Sequence, residues 1–309
     1  PTARSGSRGA AVGGVREDRG VAGTADWRDL APGVSLLATD LDGTLVRHDG
    51  SVSAYTRETL TAARDSGVPV VFVTGRPPRW MPPVVESTGH TGVAICANGG
   101  VLLDLATMSV LEAHGIGTDV LDEVVTTLRA EVPGIAFALE WAPEPGTAPD
   151  DHFGHEHAYV PRYPVGAPPT ADDVRALAAG RTVVKLLARV ALGGHDADSF
   201  LEHALTHVDH LVTVTHSDSA DVLLEMSALG VSKGSELARY AASLGLGPRN
   251  CAAVGDMPND LPMLSWAEAG LAVEGAHPRV LAAADAVVPG PEDDGVARFL
   301  AAALDAGRP

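Results

Sequence analysis

The chain has 309 residues, 45% of them hydrophobic, enough to bury a sizeable core as one large domain or two modest ones. Forty acidic side chains against 22 Lys and Arg give a formal net charge of −18, a field that repels nucleic acid phosphates and anionic membranes and excludes both as expected partners. No apolar run approaches the length of a membrane span, and the two cysteines, Cys96 and Cys251, lie in apolar stretches that read as buried strands, which fits a reducing cytosol better than a disulfide framework.

In chain order, residues 1–30 are rich in Gly, Arg, Ala and Ser without an apolar signal region, so a flexible tail is expected there. Val34 to Ala38 reads as a buried parallel strand that runs into Asp40-Leu41-Asp42-Gly43-Thr44, with alternation aiming Asp40 and Asp42 to one side. A helix over Ala54 to Asp65 follows, with Ser53 as N-cap and Gly67 past its end. Pro69 to Val73 reads as a second buried strand ending in Thr74-Gly75-Arg76, Arg79 to Ser87 as a helix, and Val93 to Ala97 as a third strand ending in Asn98-Gly99-Gly100. Three strands stopping at polar or turn-forming tripeptides describe the carboxyl edge of a doubly wound parallel sheet, where such folds hold ligands.

The pattern changes over 101–226. A hairpin (Val101 to Asp104, Ser109 to Glu112), a helix over Asp119 to Glu131, and strands near 135–141, 182–190, 211–215 and 222–226 alternate with helices near 171–179 and 198–207. This predicts an α+β cap domain inserted into a Rossmann-like α/β core made of 31–100 and 227–309, with hinges at the crossings 98–101 and 226–231. Ala142 to Thr170, with seven prolines, reads as a long loop. The parallel pattern resumes with a helix over Ser232 to Leu244 and the strand Cys251 to Val254, which runs into Gly255-Asp256-Met257-Pro258-Asn259-Asp260.

Carboxylates held as close as those of Asp40 and Asp42 repel each other unless a cation or a proton intervenes, so a Mg²⁺ site is expected. Each motif has a bland alternative: Asp-Gly is a turn dipeptide, Lys233 a solvated lysine, and Asp256 and Asp260 helix caps. Lys233, however, sits in the first turn of its helix, where a cation opposes the dipole.

Asp40-x-Asp42-Gly43-Thr44, Thr74-Gly75-Arg76, Lys233 and Gly255-Asp256-x-x-Asn259-Asp260 together resemble the four ordered motifs of the haloacid dehalogenase superfamily of phosphohydrolases, over roughly residues 34 to 300. The insertion between the second and third motifs, with Asn98-Gly99-Gly100 before it, resembles the Cof-type branch with its large α/β cap. The resemblance implies a Mg²⁺-dependent phosphatase in which Asp40 attacks phosphorus to form an aspartyl phosphate and Asp42 acts as general acid and then base. It further implies that Asp40, the Asp42 carbonyl, Asp256, Asn259 and Asp260 hold the metal or its surroundings, with Asn259 and Asp260 open as direct ligands. Thr74, Gly75, Arg76, Asn98 and Lys233 would serve the phosphate, Arg76 and Asn98 equally as loop anchors.

His152, His155 and His157 lack metal-site spacing and read as solvated or substrate-facing, while Arg162, Lys185 and Arg189 read as cap cations, surface charge ahead of contacts to a substrate's polar end. The expected partner is a small phosphorylated metabolite, most plausibly a sugar phosphate, for a cytoplasmic monomer or homodimer. A phosphomutase of the same fold and a non-catalytic sugar-phosphate-binding protein are the rival readings. The cap selects the leaving group, so fold-level likeness does not transmit specificity.

Overall fold

A computed structural model describes residues 25–143, 152–162, 166–190 and 196–307. The first third of the chain alternates β1 (Leu36–Thr39), α1 (Ala54–Asp65), β2 (Val70–Val73), α2 (Pro82–Thr88) and β3 (Val93–Cys96), then adds the hairpin β4 (Val101–Asp104) and β5 (Ser109–Ala113). The middle contains α3 (Thr118–Glu131), β6 (Ala136–Trp141), β7 (Phe153–Glu156), β8 (Thr170–Ala171), α4 (Arg175–Ala178), β9 (Val183–Arg189), α5 (Ala197–Val208), β10 (Val212–Thr215) and β11 (Leu223–Ala228). The last part is α6 (Lys233–Ser243), β12 (Cys251–Gly255), α7 (Leu261–Trp266), β13 (Ala269–Val273), α8 (Pro278–Ala283), β14 (Ala286–Val288) and α9 (Gly295–Ala306).

Eight strands form the first sheet in the order β14-β13-β12-β1-β2-β3-β4-β5, parallel from β14 to β3 and antiparallel beyond. Strands β1, β2 and β12 are buried along their whole length, as expected when helices cover both faces of a parallel sheet. Register pairs Leu36 with Cys251 and Leu37 with Val70, which makes β1 central and brings the carboxyl ends of β12, β1 and β2 side by side. The core is therefore an α/β sheet whose motif-bearing loops meet at one edge. Backbone approaches there are close: a Cβ on Gly255 would lie 2.5 Å from Cβ of Asp260, and one on Gly234 would lie 2.4 Å from the Pro262 carbonyl carbon. Helix α1 starts where expected because Ser53 Oγ accepts from the Thr56 N–H at 2.9 Å, a cap of ~1 kcal/mol.

The second sheet, ordered β10-β11-β9-β6-β7-β8, carries α3 and α5 on one face. Alternation divides its strands: Phe137, Leu139, Leu186 and Met226 pack under the helices, whereas Glu140, Lys185 and Glu225 belong to the opposite face, which looks toward the first sheet's strand ends.

Four boundaries differ from the sequence reading. The hairpin β4–β5 extends the first sheet through Ile95↔Leu102, so the crossing into the inserted unit lies at 114–117 rather than 98–101; the edge that a hairpin joins is a tertiary choice. The helix expected over 79–87 opens as a short 3-10 turn, Pro78–Trp80, and α2 begins at Pro82, because proline is tolerated only in the first turn. The helix expected over 171–179 shortens to Arg175–Ala178, since Thr170 and Ala171 pair with β7. The expected loop 142–170 contains that strand, Phe153–Glu156, bonded to β6; residues 144–151 and 163–165 of that stretch, like most of the expected tail, lie outside the described residues. Among the described residues no helix is long and apolar enough to cross a membrane.

Candidate active site

Asp40 extends β1 by one residue, its N–H donating to the Val254 carbonyl at 3.0 Å, and its side chain is buried. The chain then turns sharply, with the N–H groups of Thr44, Leu45 and Val46 all donating to the Leu41 carbonyl. Asp42 therefore leaves the strand. It still lines the same cavity as Asp40, but the turn, not the strand pleat, puts it there. Its exposed carboxylate is held by two nitrogens of Arg76, Nε at 2.7 Å from Oδ2 and Nη2 on Oδ1.

Lys233, first residue of α6, explains its awkward place against the helix dipole. Its buried Nζ donates to Asp40 Oδ1 and to Asp260 Oδ1, both at 2.6 Å. Burial works against its charge, but those two carboxylates outweigh it and hold the ammonium above its ordinary range. The other oxygen of Asp260 accepts from the Asp256 and Met257 N–H groups at 2.9 and 3.0 Å, so Asp260 braces the loop after β12. Asp256 Oδ1 accepts from Thr44 Oγ1 at 2.9 Å, and a Cβ on Gly43 would come within 2.6 Å of its Oδ2, so only glycine fits beside it.

Carboxylate oxygens of Asp40, Asp256 and Asp260 lie within 4.8 Å of one another. One ammonium, bonded to Asp40 and Asp260, thus faces three clustered carboxylates, two buried and one part-buried, and the surplus negative charge shows in the proton affinity of Asp40 and Asp256. Burial, with help from Asp260, Asp256 and Asp42, raises Asp40 well above the carboxylate range despite Lys233. Asp256 is pushed up to about 7 by burial and the neighbouring Asp260. An all-oxygen pocket with uncompensated negative charge fits a hard divalent cation such as Mg²⁺. Asp40 and Asp256 could hold it, and Asn259 adds a buried Oδ1 with no partner among the described residues, the kind of acceptor a cation or its water satisfies. Asp260 is committed to Lys233 and to backbone.

On the β2 side, Thr74 Oγ1 accepts from the Arg76 N–H at 3.0 Å, shaping the turn that presents Gly75 and Arg76 to the cavity. Asn98 adopts a left-handed backbone conformation (φ 56°) and bridges outward: its Oδ1 accepts from Asn259 Nδ2 at 3.1 Å and its Nδ2 donates to Glu225 of the second sheet. All ten sequence-predicted residues, Asp40, Asp42, Thr74, Gly75, Arg76, Asn98, Lys233, Asp256, Asn259 and Asp260, converge on this edge of the sheet.

Several residues at the same cavity escaped the sequence reading. Lys185, expected at the surface, is 2% exposed, donating to the Gly75 carbonyl and to Glu225 Oε2 at 3.3 Å. Arg79 sits between the rings of Trp80 and Phe153, 4.8 and 5.0 Å from their centroids, with Nη2 donating to Glu140 Oε1 at 3.0 Å. The available signal was a lone charge inside an apolar strand: Lys185 between Val184 and Leu186, Glu225 between Leu224 and Met226. Arg189 pairs with Asp221 at 2.6 Å and Arg162 with Asp218, so both are tied at the cavity rim. His155 bonds the Glu156 carbonyl and His157 bonds Asp172, while His152 is buried; among the described residues none joins a group able to share an ion. The cavity between the two units measures about 250 Å³ and has an aromatic wall of Trp80, Phe153 and Tyr159.

A family profile described as haloacid dehalogenase-like hydrolase matches residues 37–300. The chain is similar to the pyridoxal phosphate phosphatase YbhA of Escherichia coli, at 28% identity over 86% of this chain and 97% of that protein. It is also similar to the 5-amino-6-(5-phospho-D-ribitylamino)uracil phosphatase YcsE of Bacillus subtilis, at 26% identity over 86% and 94%. Among solved structures, a haloalkanoate-superfamily phosphatase from Bacteroides thetaiotaomicron superposes with a TM-score of 0.71, 21% identity and coverage of 87% of this chain and 95% of that one, a likeness of fold.

Proposed function

The chain belongs to the haloacid dehalogenase-like hydrolases, in their Cof-type branch, and is a phosphatase; from that premise we propose that it is a cytoplasmic, Mg²⁺-dependent enzyme that hydrolyses a small phosphomonoester through an aspartyl phosphate on Asp40. The observation that carries this is the approach of the Asp40 and Asp256 carboxylate oxygens to within 4.8 Å, though far apart in the chain, with the Lys233 ammonium bonded to Asp40. When bound between them, Mg²⁺ would screen the repulsion between Asp40 and an arriving phosphoryl group and polarise its oxygens.

Asp40 Oδ attacks phosphorus, a P–O bond to Asp40 forms, the bond to the leaving oxygen breaks, and that oxygen takes a proton that Asp42, freed from Arg76, relays from solvent. Asp42 then takes a proton from water as the water oxygen attacks phosphorus; the Asp40–phosphorus bond breaks, returning the carboxylate and releasing inorganic phosphate. Lys233 keeps Asp40 oriented, and Arg76 holds Asp42 over the site until a phosphate competes for the guanidinium. The Thr74-Gly75-Arg76 turn cradles the phosphoryl oxygens.

The aromatic wall of Trp80, Phe153 and Tyr159, beside Arg79 and Glu140, favours a leaving group with a flat ring, a heteroaromatic alcohol ahead of the sugar phosphate expected from sequence. The two curated relatives act, by their names, on phosphates bearing a nitrogen heterocycle, which supports that order. The test is phosphate release from p-nitrophenyl phosphate and from a panel containing pyridoxal phosphate, pyrimidine-bearing phosphates and hexose phosphates, with Mg²⁺ and with chelator. Turnover should need Mg²⁺ and rank heteroaromatic esters first. A requirement for a bisphosphate activator with little net phosphate release would instead mark a mutase.

Metal and pH are linked through Asp256. Its carboxyl, near 7 when folded against about 3.8 unfolded, binds more protons in the folded state, so this group makes the metal-free protein less stable as pH rises from 4 through 7. Cation binding needs the ionised form. Saturating Mg²⁺ should therefore raise the melting temperature by about 4 °C at pH 8 and far less at pH 5, for roughly hundredfold excess over Kd. Equal shifts at both pH values would remove Asp256 from the metal site.

A further inference from the structure

Away from the catalytic cluster, a second group of side chains bridges the inserted unit and the core. Asp198 lies in the first turn of α5, His216 follows β10, and His277 is the N-cap of α8 in the core. His216 Nε2 is 2.9 Å from Asp198 Oδ1 and His277 Nε2 is 3.2 Å from Asp198 Oδ2. We infer that the Asp198 carboxylate is a strap, gripped by His216 within the inserted unit and by His277 across the boundary, that holds the inserted unit closed over the catalytic cavity.

The three donors lie within 4.8 Å of one another, a spacing that could suit a transition metal, but the hydrogen-bond directions argue otherwise. The Arg279 N–H donates to His277 Nδ1 at 3.2 Å, so Nδ1 offers its lone pair and the ring proton sits on Nε2. An Nε2–H cannot ligate a metal; it donates to Asp198. The same reasoning orients His216, fully buried, whose Nε2 faces an acceptor-only carboxylate and must present a hydrogen. Its Nδ1 has no partner among the described residues and is then a bare lone pair rather than a stranded N–H. Every group in the strap thus has one role: two imidazole N–H donors on the two oxygens of one carboxylate.

Both anchors are firm. On the core side, the His277 backbone N–H donates to the Asp256 carbonyl at 2.8 Å, so the ring is positioned by the loop of the catalytic cluster itself. On the other side, His216 fixes Asp198 whether or not His277 is near, so the carboxylate is already aimed. Asp198 is 45% exposed, so water can take the place of His277 when the units part; the strap is reversible, as a gate over a hydrolytic site requires. It shares closure with Lys185 on the Gly75 carbonyl, Glu225 on Asn98 and Glu140 on Arg79, so its loss should shift the equilibrium without abolishing the closed state.

Spin labels at Glu58→Cys in α1 and Glu123→Cys in α3, both exposed, report the separation of the units; Cys96 and Cys251 are buried and stay unlabelled. Distance distributions are recorded on the protein without substrate or added metal, so the readout does not depend on turnover. Asp198→Ala should raise the population of the longer distance about three- to tenfold, the weight of one ordinary hydrogen bond at a half-exposed carboxylate. His277→Ala should do the same, and the double variant should go no further than the larger single change. His277→Gln, which can still donate, should recover part of the closed population. His277 also caps α8, so Asp198→Ala, which removes no cap, decides the matter if the His277 variants fold poorly. Unchanged distributions in Asp198→Ala, or additive shifts in the double variant, would overturn the strap.

Discussion

Asp40→Asn should abolish phosphate release, by at least about 10⁴-fold, and leave the protein folded. The amide is almost the same shape, can still accept from Lys233 Nζ through its oxygen, and cannot attack phosphorus. Stability should hold or rise in the metal-free protein. The wild-type carboxyl is buried beside Asp256 and Asp260, which raises its proton affinity, and a neutral amide removes that repulsion. Steady-state phosphate detection and a thermal melt on the same sample read both halves. A variant retaining a tenth of the wild-type rate would mean that Asp40 is not the nucleophile and that water attacks directly.

Lys233→Met should be the most destabilising single change in the site. It keeps the apolar stem and deletes the charge that neutralises part of a three-carboxylate cluster. Breaking one partner of a buried pair leaves the other charges uncompensated, at about 3–5 kcal/mol. The sign with pH follows: without the ammonium the folded carboxylates hold their protons to still higher pH, so the folded state gains protons relative to the unfolded one and stability falls as pH rises. The variant should be closer to wild type at pH 5, where the raised proton affinities of Asp40 and Asp256 favour their neutral forms, and several kcal/mol weaker at pH 8. Urea melts at the two pH values measure this, and Mg²⁺ should restore more stability to the variant than to wild type. Equal stability of both proteins at pH 8 would show that the cluster does not need the ammonium.

Much of the catalytic edge was legible because its signals are local. A buried parallel strand is a short apolar run, and the polar residue that ends it must lie at the carboxyl edge of the sheet, whatever the neighbours are. Asp40, Thr74 and Asp256 each follow such a run, and Lys233 stood out as a cation placed against its own helix dipole. Resemblance to a known motif order supplied their roles, and the buried cluster supplies the physical reason they belong together.

The remainder was written in pairings that no local window contains. The strand Phe153–Glu156 was hidden by glycine and histidine in its alternation and by the prolines around it, and it exists because β6 offers a partner edge. Lys185 and the Gly75 carbonyl are separated by 110 positions, Asn98 and Glu225 by 127, Arg79 and Glu140 by 61, and Asp198 and His277 by 79. A charged side chain on a strand reads the same whether its face meets water or another unit. Composition, periodicity and strand-end chemistry determined by themselves that acids and a cation would gather at one edge of an α/β sheet. Which edge the hairpin joins, which face of the second sheet covers the pocket, and which carboxylate the histidines grip were decided only by packing, because burial and hydrogen-bond satisfaction are properties of the assembled neighbours and not of the residue.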